Sequence, residues 1–206
     1  GTGLAVKEAG EAAIPADPSQ PWVLPRSPLQ APLVARLSRM THRLADWGYA
    51  VSTGPLVWNR HKGQLKETPG RNSYPLIWAE AVTSAGTFIW RAEKRNHLPW
   101  FEAEAGDDWL VTRTPCVLLQ RTTAKEQHRR LIAAALPSDF IDRHGAVVIE
   151  NHLNMLRPMR ERPLIASDVL AAFLNSAAAD RVFRCVSGSV AVSAYELESL
   201  PLPAPA

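Results

Sequence analysis

From Tyr49 to about Val117 the apolar and aromatic runs are short, and Gly, Pro and Asn interrupt them repeatedly. Spacing of this kind leaves no room for long helices and predicts short strands joined by turns. The runs are Ala50 to Ser52, Leu56 to Trp58, Leu76 to Ala79, Gly86 to Arg91, Trp109 to Thr112 and Pro115 to Leu119, with Ala146 to Glu150 further on. Together they predict a meandering sheet. Helical spacing surrounds it: Leu33, Val34, Leu37, Met40, Leu44 and Trp47 predict one or two helices over 31–47, stopped by Gly48. Ser167 to Asn175 and Ala177 to Val186 predict two more, and Ser193-Ala194-Tyr195-Glu196 has the spacing of a capping box that opens a last turn ended by Pro201. Thr123-Ala124-Lys125-Glu126 has the same spacing and predicts a helix from Ala124 to Leu136, ended by Pro137. The expected class is α+β, a curved mixed sheet with flanking helices.

The 206 residues allow one domain with a substantial core, since 46% are hydrophobic and 21% charged. Residues 1–20, rich in Ala, Glu and Gly, read as a linker or cloning remnant, and 21–206 as the domain. Pro21, Pro25 and Pro28 make the start of that domain an extended lead-in. No apolar run approaches the roughly 18 residues that span a bilayer, and the first residues lack the pattern of a signal peptide. Cys116 and Cys185 are far apart with no Cys-x-x-Cys spacing, so they are expected to be core residues in a reducing cytoplasm.

The net charge of +3 permits an anionic partner without requiring one. Charge distribution says more. Glu102, Glu104, Asp107 and Asp108 cluster in one stretch, whereas basic and amide residues gather where apolar runs end. Trp58-Asn59-Arg60-His61-Lys62 follows Leu56-Val57, and Arg91-Ala92-Glu93-Lys94-Arg95-Asn96-His97 follows Phe88 to Trp90. Gln120-Arg121-Thr122 follows Val117 to Leu119 and leads to Lys125, Gln127, Arg129 and Arg130, and Asn151, His152 and Asn154 follow Val147 to Ile149. Arg grips guanine and Asn or Gln adenine through paired hydrogen bonds, while Lys chiefly meets phosphate. The start of the helix expected at Ala124 would add free N–H groups for a phosphate oxygen.

Catalytic signatures are sparse. The chain has no glycine-rich loop between strand and helix, no P-loop and no Gly-x-Ser-x-Gly elbow around Ser189 or Ser193. Asp139, Asp142, His144, Glu150 and His152 are the available metal ligands for a small nuclease or hydrolase, but their spacing matches neither a helical pair nor strand alternation. A third possibility makes the basic strand ends a docking surface for an acidic protein.

Three segments carry a resemblance: Val51 to Lys62 (Val-Ser-Thr-Gly-Pro-Leu-Val-Trp-Asn-Arg-His-Lys), Leu118 to Gln127 (Leu-Leu-Gln-Arg-Thr-Thr-Ala-Lys-Glu-Gln) and Glu150 to Asn154 (Glu-Asn-His-Leu-Asn). In this order they resemble the C-terminal target-recognition region of adenine-specific DNA methyltransferases from bacterial restriction-modification systems. Leu174-Asn175-Ser176, Gly188-Ser189 and Glu196 to Pro203 resemble the closing pattern of recognition domains in type I restriction specificity subunits. The likeness covers about Trp22 to Pro203. It implies a DNA-reading fragment without a catalytic half, for neither the cofactor loop nor the Asn-Pro-Pro-aromatic motif of such enzymes occurs here. It also implies a parent enzyme that methylates adenine N6 with S-adenosylmethionine through a catalytic domain preceding this one. The partner is then double-stranded DNA, held at phosphates by Arg60, Lys62, Lys94, Arg95, Lys125 and Arg129. Bases would be read by Asn59, Arg91, Asn96, Gln120, Arg121 and His152, with His61, His97, Thr122, Gln127, Arg130, Asn151 and Asn154 beside them.

Overall fold

The computed structural model describes residues 5–18, 20–123 and 127–205. Helices and strands mix as expected, but the strands form two open sheets rather than one. In chain order the elements are α1 (Ala31–Leu37), β1 (Tyr49–Thr53), β2 (Leu65–Lys66), β3 (Ser73–Ile77), β4 (Trp100–Glu102), β5 (Val111–Thr112), β6 (Val117–Gln120) and β7 (Ala133–Ala135). They continue with α2 (Ser138–His144), β8 (Val147–Ile149), β9 (Leu153–Pro158), α3 (Ser167–Leu174), α4 (Ala177–Val186) and α5 (Ala194–Glu198). The first sheet is antiparallel in the order β1-β9-β6-β7, and the second runs β2-β4-β3-β8-β5 with β3 and β8 parallel.

The run Cys116 to Leu119 shows how the layers stack. Val117 and Leu119 point into a cluster with Tyr49, Leu156, Leu170 and Phe183, formed against α3 and α4, while Cys116 and Leu118 join Ile77, Ile149, Ile141 and Met155 between the sheets. Both faces are buried, so this strand reads as a continuous apolar run. Burial also pushes the Cys116 thiol up to about 12. The outer face of the second sheet is closed by Leu56, Leu76, Trp78, Phe101, Leu110 and Val148.

The same two-sided burial overturns the helix expected from Ala124 to Leu136. Residues 124–126 lie outside the described residues, and with them most of the proposed capping box. Beyond them Leu131 and Ala133 face the helix layer while Ile132, Ala134 and Leu136 face the other sheet, and the central Ala133–Ala135 becomes β7 against β6. Alanine is a strong helix former, but burial on alternate sides outweighs propensity here. Pro137 precedes α2 instead of ending a helix. The edge of β7 is occupied: Ala133 N–H donates to Asn175 Oδ1 at 3.1 Å and Asn175 Nδ2 donates to the Ala133 carbonyl at 2.7 Å. One side chain thus stands in for a neighbouring strand. Gly86, at φ +81°, permits this, because a Cβ there would collide with the Asn175 amide.

Other boundaries move less. The segment 31–47 supplies only α1, after which Asp46 Oδ2 accepts from Arg43 N–H at 2.8 Å in a turn. Leu56 makes a single bridge to Glu150, Phe88 one to Val82, and Trp58–Arg60 and Asp107–Leu110 are 3-10 turns. The helices α3 and α4 lie where expected, and the Ser193/Glu196 capping box forms. Leu24 N–H donates to the Cys185 carbonyl at 2.8 Å, and Ala12 and Val23 pack against Val34, Leu37 and Cys185. Among the described residues no helix is long and apolar enough to cross a membrane.

Gly54 sits where the two sheets converge. A Cβ on it would collide with the carbonyl oxygens of Glu150 and Ile149, the latter 2.9 Å away. Gly54→Ala is expected to cost about 1 to 3 kcal/mol or more. A lowered denaturant midpoint with an unchanged slope would register that loss, and an unshifted midpoint would show that the backbone yields freely.

Candidate nucleic-acid interface

The polar segments are separate in sequence, but three of them are sewn together by main-chain hydrogen bonds. Leu56 N–H donates to the Ile149 carbonyl at 3.1 Å, and Asn151 N–H returns a bond to the Leu56 carbonyl at 2.9 Å. Glu150 N–H donates to the Ile77 carbonyl at 3.0 Å, and Arg121 N–H to the His152 carbonyl at 2.9 Å. The turn after β8 therefore touches the turn after β1, the end of β3 and the end of β6. Rings continue the contact, with Trp58 edge-on to Trp78 at 6.1 Å and His97 stacked on Trp78 at 3.7 Å. All four clusters singled out in the sequence adjoin one another.

Glu80 holds the segment 91–97 in place. Its side chain is 9% exposed, and its carboxylate accepts from Glu93 N–H at 2.7 Å, meets His97 Nδ1 at 2.9 Å and lies 3.7 Å from Lys94 Nζ. Its main-chain carbonyl takes Arg91 Nε at 2.6 Å. Burial by itself would raise the Glu80 pKa, but the Glu93 N–H, the His97 ring and the Lys94 N–H together hold it below the ordinary glutamate value. Glu150 anchors the neighbouring turn in the same way. It is 1% exposed, and accepts from His152 N–H at 2.9 Å and faces His152 Nδ1 at 2.7 Å.

The residues proposed from sequence then separate into two groups. Asn59, Arg60, Lys62, Lys94, Arg95, Asn96, Thr122 and His152 are exposed on these adjoining loops, with Lys62 Nζ 5.6 Å from the Trp58 ring centre. The second group is engaged inside the protein. Gln120 Nε2 donates to the carbonyls of Val82 at 2.6 Å and Ala79 at 3.2 Å, and Arg121 Nη1 to that of Asn151 at 2.7 Å. Arg129 donates to the carbonyls of Asn175 and Ser84, Arg130 to the Thr123 hydroxyl and, by its N–H, to Asp180. Asn154 is fully buried with its amide on the Val192 carbonyl, Arg91 is turned to Glu80, and His61 Nδ1 meets Gln64 Oε1 at 2.7 Å. Gln120, Arg121, Arg129, Arg130, Arg91, His61, His97 and Asn154 thus have polar atoms committed to partners within the protein. The cause is general: loops crossing between two sheets bring carbonyl oxygens out of water, and long guanidinium and amide side chains reach them. Gln127 and Asn151 are half-buried, and Lys125 lies outside the described residues.

The alternative metal constellation does not gather. Asp139 and Asp142 are exposed on α2, while His144 packs against Phe140, Trp90 and Trp100. Burial first, and then Arg143, lower its pKa. Among the described residues no three His, Cys, Asp or Glu side chains come together as ligands. Glu80 and Asp180 escaped the sequence reading, although each is a single acid set in an apolar stretch, which is the one signal that could have found them.

No family model matches the chain. It is similar to the Type II methyltransferase M.BsuBI of Bacillus subtilis, 28% identical over 174 residues that are 83% of this chain and 34% of the relative. It is also similar to the Type II methyltransferase M.PstI of Providencia stuartii, 33% identical over 165 residues that are 78% of this chain and 32% of the relative. The chain thus spans about a third of the length of these relatives, and its homologues are type II methyltransferases.

Glu80→Gln should loosen the 91–97 loop, read as faster proteolysis there. A depressed pKa in the folded state means that the Glu80 contribution to stability is present above its unfolded pKa and fades as pH falls through the folded one. Urea midpoints from neutral down to acid pH should therefore converge for wild type and Glu80→Gln at the acid end, and a constant gap would contradict this.

Proposed function

We propose that this chain reads double-stranded DNA for a restriction-modification methyltransferase, without carrying the methyl-transfer chemistry itself. One observation supports it above the others: four polar clusters, scattered over about a hundred residues of sequence, adjoin, three through main-chain bonds and the 91–97 loop through the Trp78 ring, and leave Arg60, Lys62, Lys94 and Arg95 exposed beside Asn59, Asn96, Thr122 and His152. The relatives support it from another side, being type II methyltransferases about three times as long as the matched region.

In this reading the four cations meet phosphates and fix the register, and the amides, the imidazole and the hydroxyl reach base edges in the major groove. The internal ties of Gln120, Arg121 and Arg129 make the platform stiff, so that base-reading groups keep their positions when DNA arrives. The parent enzyme is a bacterial, cytoplasmic, adenine-specific N6-methyltransferase that uses S-adenosylmethionine in a catalytic domain ahead of this one. The fragment itself holds no cofactor and is not an enzyme.

Fluorescence anisotropy on duplexes carrying randomised and candidate target sequences, from about 50 to 200 mM salt, tests the proposal. Four phosphate contacts predict a log–log slope near 3.6, at about 0.9 per contact, and Arg60→Ala with Lys62→Ala should remove roughly half of it. Asn96→Ala should cost about 1 to 3 kcal/mol on the preferred site and little elsewhere. Binding that ignores salt, or that is the same for all variants, would overturn the reading.

A further inference from the structure

Next to the interface, on the other side of the Thr53–Pro55 turn, a cleft of about 290 Å³ opens between β1 and β9 of the first sheet and β5 of the second. Ser52 and Thr53 of β1, Arg157 of β9, and Trp109, Arg113 and Thr114 around β5 line it. Its chemistry differs from that of a packing defect. The Trp109 side is 65% exposed, which is unusual for the largest apolar side chain, and Arg113 and Arg157 are both exposed. Among the described residues no hydrogen bond or ion pair engages the Arg157 guanidinium. Arg113 bonds Asp108 Oδ1 at 2.7 Å, but that carboxylate is 83% exposed and therefore held only weakly. Two cations, several hydroxyl groups and one largely exposed indole ring suit a nucleotide: the guanidiniums and hydroxyls for its phosphate, and the tryptophan for a ring.

Continuity decides which nucleotide. Pro55 lines the cleft, and the next residue, Leu56, is bonded to Asn151 in the recognition loops, from which Asn59 and Arg60 follow. A strand leaving those loops along the β1 edge would arrive at the cleft within a few residues' length, at about 3.3 Å per residue.

We propose that the cleft between β1 and β5 is a second DNA contact, which holds one nucleotide of the strand flanking the recognised sequence, its phosphate at Arg113 and Arg157 and its base or sugar against Trp109. The inference rests on the DNA-reading function and extends it beyond the recognition loops. Asp108 acts as the opposing charge, releasing Arg113 when a phosphate displaces it. The cleft contributes affinity and no sequence preference, because a phosphate and a stacked ring carry little base identity.

The test compares two duplexes, one trimmed to the bases the recognition loops cover and one extended by about six base pairs on each side, with wild type, Arg113→Ala/Arg157→Ala and Trp109→Ala. These side chains are exposed, and circular dichroism checks that the variants fold. On the long duplex the double variant should lose close to 0.9 in salt slope, the share of the one phosphate it held, whereas on the trimmed one it should match wild type. Asp108→Asn should tighten the long duplex only. A 5-iodouracil placed in the flank should photo-crosslink to Trp109 in wild type. If wild type binds both duplexes with the expected salt dependence and the double variant does the same with no flank crosslink, the cleft is not a contact and DNA reading stands. If wild type binds neither, the recognition function itself fails and the cleft proposal falls with it.

Discussion

The segment Ile149–Glu150–Asn151 is where the structure is decided. It leaves the second sheet and must cross to the first, so its peptide groups pass out of one ladder before they join the next. Each is met on the way: the Leu56 carbonyl takes Asn151 N–H, the Ile77 carbonyl takes Glu150 N–H, and Arg121 reaches the Asn151 carbonyl. An unpaired buried peptide group costs about as much as a lost hydrogen bond, so these ties fix the distance between the sheets as well as the turn itself. Gly54 is required at the same place because the backbone passes too close to the Glu150 carbonyl for any side chain.

Everything useful on the candidate surface follows from that crossing. The turns that meet there have their own donors and acceptors committed to one another, which leaves the side chains at their outer rims for a ligand. Buried carboxylates complete the arrangement: Glu80 gathers the N–H groups of the 91–97 loop and the His97 ring, which stacks on Trp78. A loop held by its own backbone and by a stacked ring can carry Lys94, Arg95 and Asn96 without being itself a flexible arm, and fixed polar groups lose less entropy on binding than mobile ones. The acids of the stretch 102–108 are tied into their own turn, where Asp107 accepts from Glu104 N–H and also takes Gln64, the partner of His61.

Much of the layer order was legible. The fourfold apolar run at Cys116, the helical spacing of Ser167 to Val186 and the Ser193/Glu196 box are local patterns, and each carries its own physical cause in burial or capping. The alanine stretch after Leu131 was not legible, since its residues favour helix in isolation and become a strand only because apolar layers lie on both sides. The two-residue strand β2 was equally hidden; it exists because β4 offers hydrogen bonds, not because of its own composition.

For the candidate site the division is sharper. The sequence alone determined which polar residues follow short apolar runs, and so which loops could carry a charged surface; apolar runs and turn residues are properties of adjacent amino acids. Whether Arg60 faces water while Arg129 spends its guanidinium on two carbonyl oxygens was decided only by the tertiary structure. A guanidinium goes wherever an unsatisfied acceptor is within reach, and the acceptors here, the carbonyls of Asn175 and Ser84, belong to segments more than forty residues away that the folded chain alone brings near.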